Sequence, residues 1–140
     1  MQPATHKASA STAAPVVHFE VIGKHPETLR KYYGRLFGWE FHTGSMPPPK
    51  EVSEADNYGF VDRITTEDGT GIRGGVGGGE AYDSHAIFYV AVEDVEAALK
   101  KAERLGGTRL MGPVTKPGGG LVVGHLRDPE GTPIGVAGPH

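Results

Sequence analysis

The clearest hydrophobic pattern in the chain runs from residue 86 to residue 107 and predicts a strand followed by a helix. Five apolar or aromatic residues, Ala86 to Val90, come first and are typical of a buried strand. Asp94 follows, where its carboxylate can accept hydrogen bonds from the free N–H groups of a first helical turn. Apolar residues then recur with the period of an amphipathic helix, and Gly106 and Gly107 are predicted to end this helix. These apolar residues are Val95, Ala98, Leu99, Ala102 and Leu105.

The same pattern occurs a second time, 69 residues earlier in the chain. Val17 to Ile22 predicts a strand, and Pro26 suits the first turn of a helix. The apolar face of this helix is predicted to hold Leu29, Tyr32 or Tyr33, and Leu36. At this offset Leu36 pairs with Leu105, and glycine and proline separate short strand candidates after each helix. The chain is therefore predicted to be an α+β protein of two tandem βαβββ modules.

Alternating residues and turn residues divide the rest of the chain. The further strands are predicted at residues 39–42, 57–65, 71–76, 85–92, 108–110, 121–127 and 132–137, with a proline-rich loop at 43–56. Residues 1–14 are predicted to be a flexible tail, and residues 15–140 a single domain with module one at 15–79 and module two at 84–138. Two such curved sheets side by side form an open, barrel-like cleft, where small molecules commonly bind.

The composition narrows the partners and the location. The net charge of −3 gives no basic face for nucleic acid. The chain has no cysteine, which excludes disulfides, thiolate nucleophiles and cysteine-based zinc sites. No apolar run approaches the roughly 18 residues of a membrane helix. The small residues 8–10 resemble a signal-peptide cleavage site, but no hydrophobic segment precedes them, so secretion is not expected. We therefore expect a cytoplasmic protein with neither nucleic acid nor a membrane among its partners.

The first strand offers candidate binding residues. His18 and Glu20 share one face, and Val17, Phe19 and Val21 share the other. Because the apolar face is expected to pack on the helices, His18 and Glu20 are predicted to face the cleft.

Further candidates come from later strands. Ile87 is the repeat mate of His18, and His85 and Tyr89 lie on the same face of their strand. Other interpretations stay open: His85 as a strand-edge residue in solvent, His125 as a surface residue, and Tyr89 and Phe60 as core residues. The predicted ligand-binding set is His18, Glu20, Phe60, His85, Ile87, Tyr89 and His125.

The sequence resembles the vicinal oxygen chelate superfamily, which includes glyoxalase I, bleomycin-resistance proteins and extradiol dioxygenases. Four features carry the resemblance: the strand with His18, the segment YYGRLFGWEF, the strand that runs into Val92-Glu93-Asp94-Val95, and the turn Asp128-Pro129-Glu130-Gly131. The resemblance implies an open cleft for a small molecule and a homodimer.

In metal-dependent members of the superfamily, four strands each supply one inward ligand. The resemblance places these ligands at His18, Ile87, Gly135 and a residue within Gly71 to Gly79, and of these only His18 can bind a divalent metal. We therefore expect no metal, no other cofactor and no assigned catalytic residue. The leading hypothesis is a metal-free, glyoxalase-like protein that binds a metabolite or antibiotic.

Two enzymatic alternatives remain open at this point. The first is a metal-dependent lyase, isomerase or dioxygenase, in which the metal acts as a Lewis acid; its site could be rebuilt from His18, Glu20 and His85. The second is acid–base chemistry without metal, supplied by His18 and Glu20.

Overall fold

The computed structural model describes residues 13–44 and 46–140, so nearly all of the predicted tail, residues 1–14, lies outside the described residues. The helices and strands of the described part follow the predicted order. They are β1 (Val16–Gly23), α1 (Pro26–Phe37), β2 (Phe41–Thr43), β3 (Gly59–Val61), β4 (Arg73–Gly78), β5 (His85–Ala91), α2 (Val95–Arg104), β6 (Thr108–Thr115), β7 (Val122–Arg127) and β8 (Pro133–Gly138). In this part of the chain, neither helix is long and apolar enough to cross a membrane.

The strands form one mixed sheet in the order β2-β3-β4-β1-β5-β8-β7-β6. From the centre outward, module one runs β1, β4, β3 and β2, and module two runs β5, β8, β7 and β6. The two halves therefore have the same strand order. β1 and β5 join the halves as an antiparallel pair. β1 and α1 begin at Val16 and Pro26, and β5 and α2 begin 69 residues later at His85 and Val95. The predicted α+β fold of two tandem βαβββ modules is confirmed.

Two strands, β3 and β6, differ from their predicted lengths by more than two residues. β3 contains only three residues, because the chain after Val61 leaves the sheet and forms a turn in which the amide of Thr66 donates to the carbonyl of Thr70 at 3.0 Å. β6 is longer than predicted, since its pairing with β7 continues past an irregularity at Met111 to Thr115. The longer β6 carries module two up to the edge of the cleft.

The second helix packs as its sequence predicts, except at its end. The Asp94 carboxylate accepts a hydrogen bond from the amide of Ala97 at 3.0 Å, which caps the first turn. Val95 and Leu99 are fully buried and pack against Val136 of β8. Leu105 was predicted on the buried face, but it is 70% exposed. The helix ends at Arg104, and Leu105, as its C-cap, leaves the helical period.

The buried face of α1 agrees with the prediction only in part. Leu29 and Tyr33 are half-buried as predicted, but Leu36 is 54% exposed, and Arg30 is half-buried in addition. The guanidinium of Arg30 donates to the carbonyl oxygens of Asn57 at 2.8 Å and Val76 at 3.3 Å. These bonds turn the Arg30 side of the helix toward the sheet. Leu36 lies on another side, because six residues correspond to about 240° of rotation.

Candidate functional site

A cavity of about 360 Å³ opens between the two halves of the sheet. Its volume lies within the range of small-molecule pockets, and most of its surface is apolar. The walls come from both modules and include Pro47, Pro49, Val52, Phe60, Leu121 and Val123. Polar groups converge at its floor, which is formed by the central strands β1 and β5.

Glu20 lies at this floor with only 3% of its surface exposed. The hydroxyl of Tyr58 donates to Glu20 Oε1, and the hydroxyl of Tyr89 donates to Oε2, both at 2.9 Å. Each tyrosine oxygen also meets a histidine: Nε2 of His18 lies 2.9 Å from Tyr58 Oη, and Nε2 of His125 lies 2.8 Å from Tyr89 Oη. We call these five residues the Glu20 network.

The hydrogen positions in this network follow from its donors and acceptors. A tyrosine hydroxyl has one hydrogen, and in both tyrosines that hydrogen is directed to Glu20 when the glutamate is ionised. Nε2 of His18 and Nε2 of His125 must then carry the hydrogen and donate it to the tyrosine oxygen. Nδ1 of a neutral His18 is left as an acceptor in the cleft wall.

Two glycines leave room for the tyrosine rings. Gly75 pairs with Glu20 across β4 and β1, and Gly135 pairs with Tyr89 across β8 and β5. A Cβ atom at Gly75 would lie 2.1 Å from the Tyr58 ring, and one at Gly135 would lie 2.5 Å from the Tyr89 ring. Neither distance is possible between nonbonded carbon atoms, so glycine is required for each ring to lie over the neighbouring strand.

Burial determines the protonation of the network. It raises the pKa of Glu20 to about 7, although the hydrogen bonds from Tyr58 and Tyr89 oppose this rise. Burial also lowers the pKa of His18 and of His125 to about 4, with smaller contributions from the charges of Arg73 and His85 respectively. Near pH 7 both histidines are therefore neutral, and Glu20 exists in both protonation states.

Most of the predicted binding residues lie at the cleft. His18, Glu20, Phe60 and Tyr89 line it, and His125 lies behind Tyr89 as the outer end of the Glu20 network. Their roles in binding remain predictions.

Three sequence-based placements need correction. His85 is exposed and does not line the cleft, and its Nδ1 lies 2.8 Å from the carbonyl oxygen of Asp83. Ile87 is buried in a cluster with Tyr89 and Val123 and does not line the cavity. Val17 was assigned to the helix-packed core, yet it is 38% exposed and lines the cleft. The β1–β5 pairing shifts register between Val16 and His18, and such a bulge changes the side to which a residue points.

Sequence reasoning missed Tyr58, Arg73 and Lys116, which also line the cavity. Tyr58 had a signal: it lies two residues before Phe60 and therefore shares its face in an extended chain. Arg73 begins β4 and Lys116 follows β6, so both lie at strand ends where the sequence shows no periodic pattern.

The residues of the cleft do not fit a divalent metal. Within residues 13–44 and 46–140, no group of three or more histidine, aspartate or glutamate side chains is arranged to hold one. Both carboxylate oxygens of Glu20 accept tyrosine hydroxyls, and Nε2 of His18 is occupied by Tyr58. The position on β8 at which metal-dependent members of the superfamily carry a metal ligand is Gly135, which has no side chain.

The two-module sheet around a central cleft defines a protein of the vicinal oxygen chelate superfamily. The family model of the glyoxalase-like domain matches residues 18–137, and the chain belongs to this family. Among curated proteins, none matches the chain in sequence.

Several solved structures share the fold. A methylmalonyl-CoA epimerase in complex with methylmalonyl-CoA and NH4+ is 14% identical with a TM-score of 0.62, covering 91% of this chain and 95% of that one. The Streptomyces coelicolor methylmalonyl-CoA epimerase in complex with 2-nitronate-propionyl-CoA is 14% identical with a TM-score of 0.60, covering 88% and 95%. A protein described as NAD-dependent benzaldehyde dehydrogenase from Legionella pneumophila is 12% identical with a TM-score of 0.57, covering 86% and 96%. At these identities the likeness shows the fold alone.

Proposed function

We propose that this protein binds a small organic molecule in the cleft without the help of a metal. The observation that carries the proposal is a buried, fully hydrogen-bonded Glu20 network at the floor of an otherwise apolar cavity of about 360 Å³. Apolar walls supply affinity, and a few fixed polar groups orient the ligand. The Nδ1 acceptor of His18 can receive an N–H or O–H of the ligand.

Sequestration of a metabolite or an antibiotic, as in the bleomycin-resistance proteins that the sequence resembles, is one form of this function. A cytoplasmic location is part of the same proposal. Its support is compositional: the chain has no cysteine and therefore needs no oxidising compartment to fold.

Filling the cleft should weaken binding of a small apolar molecule. Leu121 is half-buried in the cleft wall, and Leu121→Trp places an indole inside the cavity. We expect the dissociation constant for the neutral fluorophore N-phenyl-1-naphthylamine, measured by fluorescence titration, to rise at least about tenfold, which corresponds to about 1.4 kcal/mol. Leu110→Trp on the exposed side of β6 is the matched control and should leave the affinity unchanged. Equal affinities of the two variants would place the probe outside the cleft.

We also propose a homodimer. Its support is a group of apolar and aromatic side chains on α1 that are exposed to water in the single chain and that a partner could cover. They are Tyr32, Leu36 and Phe37. Sedimentation equilibrium at micromolar concentration checks this proposal, and a stable monomer would contradict it.

A second candidate function is proton-transfer catalysis without metal, which the continuity of the Glu20 network favours. A protonated Glu20 can donate a hydrogen bond to a tyrosine hydroxyl, which in turn donates to Nε2 of His18 or His125 if that histidine carries its hydrogen on Nδ1. Such a chain of hydrogen bonds can carry a proton. The test is deuterium incorporation from heavy water into a panel of carbonyl compounds, followed by NMR. Exchange by the wild type that Glu20→Gln abolishes would establish an enzyme; absence of exchange across the panel would favour binding alone.

A further inference from the structure

Two cationic side chains stand at the cleft, one from each module. Arg73 opens β4 and lies beside His18 in the sheet register. Arg73 is exposed, and its positive charge contributes to the lowered pKa of the neighbouring His18. Lys116 follows β6, and its backbone amide bonds to the carbonyl of Leu121 at 2.9 Å, which closes a turn beside the cavity. Both residues line the cleft.

Among the described residues, no acidic side chain pairs with either of these two charges. In the part of the chain that the structure describes, neither the Arg73 nor the Lys116 side chain forms an ion pair or a hydrogen bond. The cleft-lining residues within that part include one acid, Glu20, whose two oxygens are both occupied by tyrosine hydroxyls at the floor.

Other cations of the same protein do have partners. Arg109 forms a two-pronged pair with Glu96 at 2.8 Å, and Lys24 pairs with Asp83 at 3.4 Å. The cleft is therefore locally positive in a chain whose net charge is −3. A concave surface with apolar walls concentrates such a potential and attracts anions.

We propose that the ligand is an amphipathic organic anion. This inference rests on the binding function proposed above. The apolar body of the ligand lies between the proline loop and the wall formed by Phe60 and Leu121, and its carboxylate, sulfonate or phosphate group lies between Arg73 and Lys116. A guanidinium matches such planar or tetrahedral anions with two parallel hydrogen bonds, and the lysine adds a mobile point charge. Because the two cations come from different modules, the anionic group bridges both halves of the sheet.

Two fluorophores with the same rings test this inference. 1-Anilinonaphthalene-8-sulfonate carries one negative charge, and N-phenyl-1-naphthylamine lacks only the sulfonate. We expect the wild type to bind the sulfonate at least about tenfold more tightly in low salt, and the preference to decline as added salt screens the charges. In the double variant Arg73→Gln/Lys116→Gln the two affinities should converge, through weaker binding of the sulfonate and unchanged binding of the neutral probe.

The control is the double variant Lys101→Gln/Arg104→Gln, which removes the same net charge from the exposed side of α2 and should keep the full preference. Equal affinities of both probes for the wild type would overturn the anion proposal and leave the cleft function intact. Failure of both probes to bind would overturn the cleft function itself. Loss of the preference in the control variant as well would show attraction by overall charge, which also contradicts a site at Arg73 and Lys116.

Discussion

Replacing Tyr58 and Tyr89 together by phenylalanine should lower the free energy of unfolding by about 3 kcal/mol at pH 8. At that pH the folded protein holds Glu20 mainly as a buried carboxylate, and the double variant removes both of its donors. At pH 5 Glu20 is neutral, so the loss should be smaller, about 1–2 kcal/mol. Urea unfolding at the two pH values gives both numbers.

The matched control for this experiment is Tyr33→Phe on α1. Tyr33 contributes its ring to an aromatic cluster with Phe37 and Trp39, and phenylalanine keeps that ring. Loss of its hydroxyl should change stability by less than about 0.5 kcal/mol at either pH. Equal losses at pH 5 and pH 8 in the Tyr58/Tyr89 variant would show that Glu20 does not ionise near neutrality.

The sign of the pH effect follows from the direction of each pKa shift. The pKa of Glu20 rises from 4.5 to about 7 on folding, so its stabilising contribution is complete below pH 4.5 and is lost as the pH rises through 7. The pKa values of His18 and His125 fall from 6.5 to about 4, so their contribution is complete above pH 6.5 and is lost as the pH falls to 4. Above pH 6.5 Glu20 alone of these three groups still changes charge, and Glu20→Gln should therefore remove the decline in stability there.

Gly135→Ala should lower the free energy of unfolding by about 1–3 kcal/mol, the usual range for overpacking in a filled core. The new methyl group would lie 2.5 Å from the Tyr89 ring and must displace it. Movement of Tyr89 separates its hydroxyl from both Glu20 and His125, so the Glu20 network loses both hydrogen bonds of that hydroxyl. Gly75→Ala should act in the same way through Tyr58, because its methyl group would lie 2.1 Å from that ring.

A double-mutant cycle separates this steric effect from a general intolerance of β8 to alanine. In a Tyr89→Ala background the ring is absent, and Gly135→Ala should then be nearly neutral, giving an interaction free energy of about 1–3 kcal/mol. Additive losses would show that the glycine is needed for a reason other than the tyrosine ring.

The sequence predicted the fold because its signals are local and occur twice. The Asp94 cap, the glycine stops and the strand–helix period each depend on a few neighbouring residues, and their recurrence after 69 positions specified both modules. Leu36 and Leu105 were misplaced for reasons beyond local periodicity. Arg30 draws its own side of α1 to the sheet by bonds to distant carbonyls, and Leu105 follows the last helical residue.

The candidate site was only partly predictable because its contacts join residues far apart in the chain. Alternation along β1 places Glu20 on the inner face, and the repeat places Tyr89 at the equivalent position of β5. The contact between Tyr89 and His125 depends on the β5–β8–β7 register, which no local pattern reveals. Tyr58 faces Glu20 because Gly75 leaves space for its ring, and a glycine in a strand does not identify the ring that covers it.

Metal-free binding in the cleft is the central claim, and calorimetric titration with 1-anilinonaphthalene-8-sulfonate before and after removal of metals by a chelator tests it most directly. The donor set of the cleft predicts the same affinity in both samples, within about twofold, and no change when manganese, nickel or zinc is added back. Binding that disappears with the chelator and returns with one of these metals would contradict the claim.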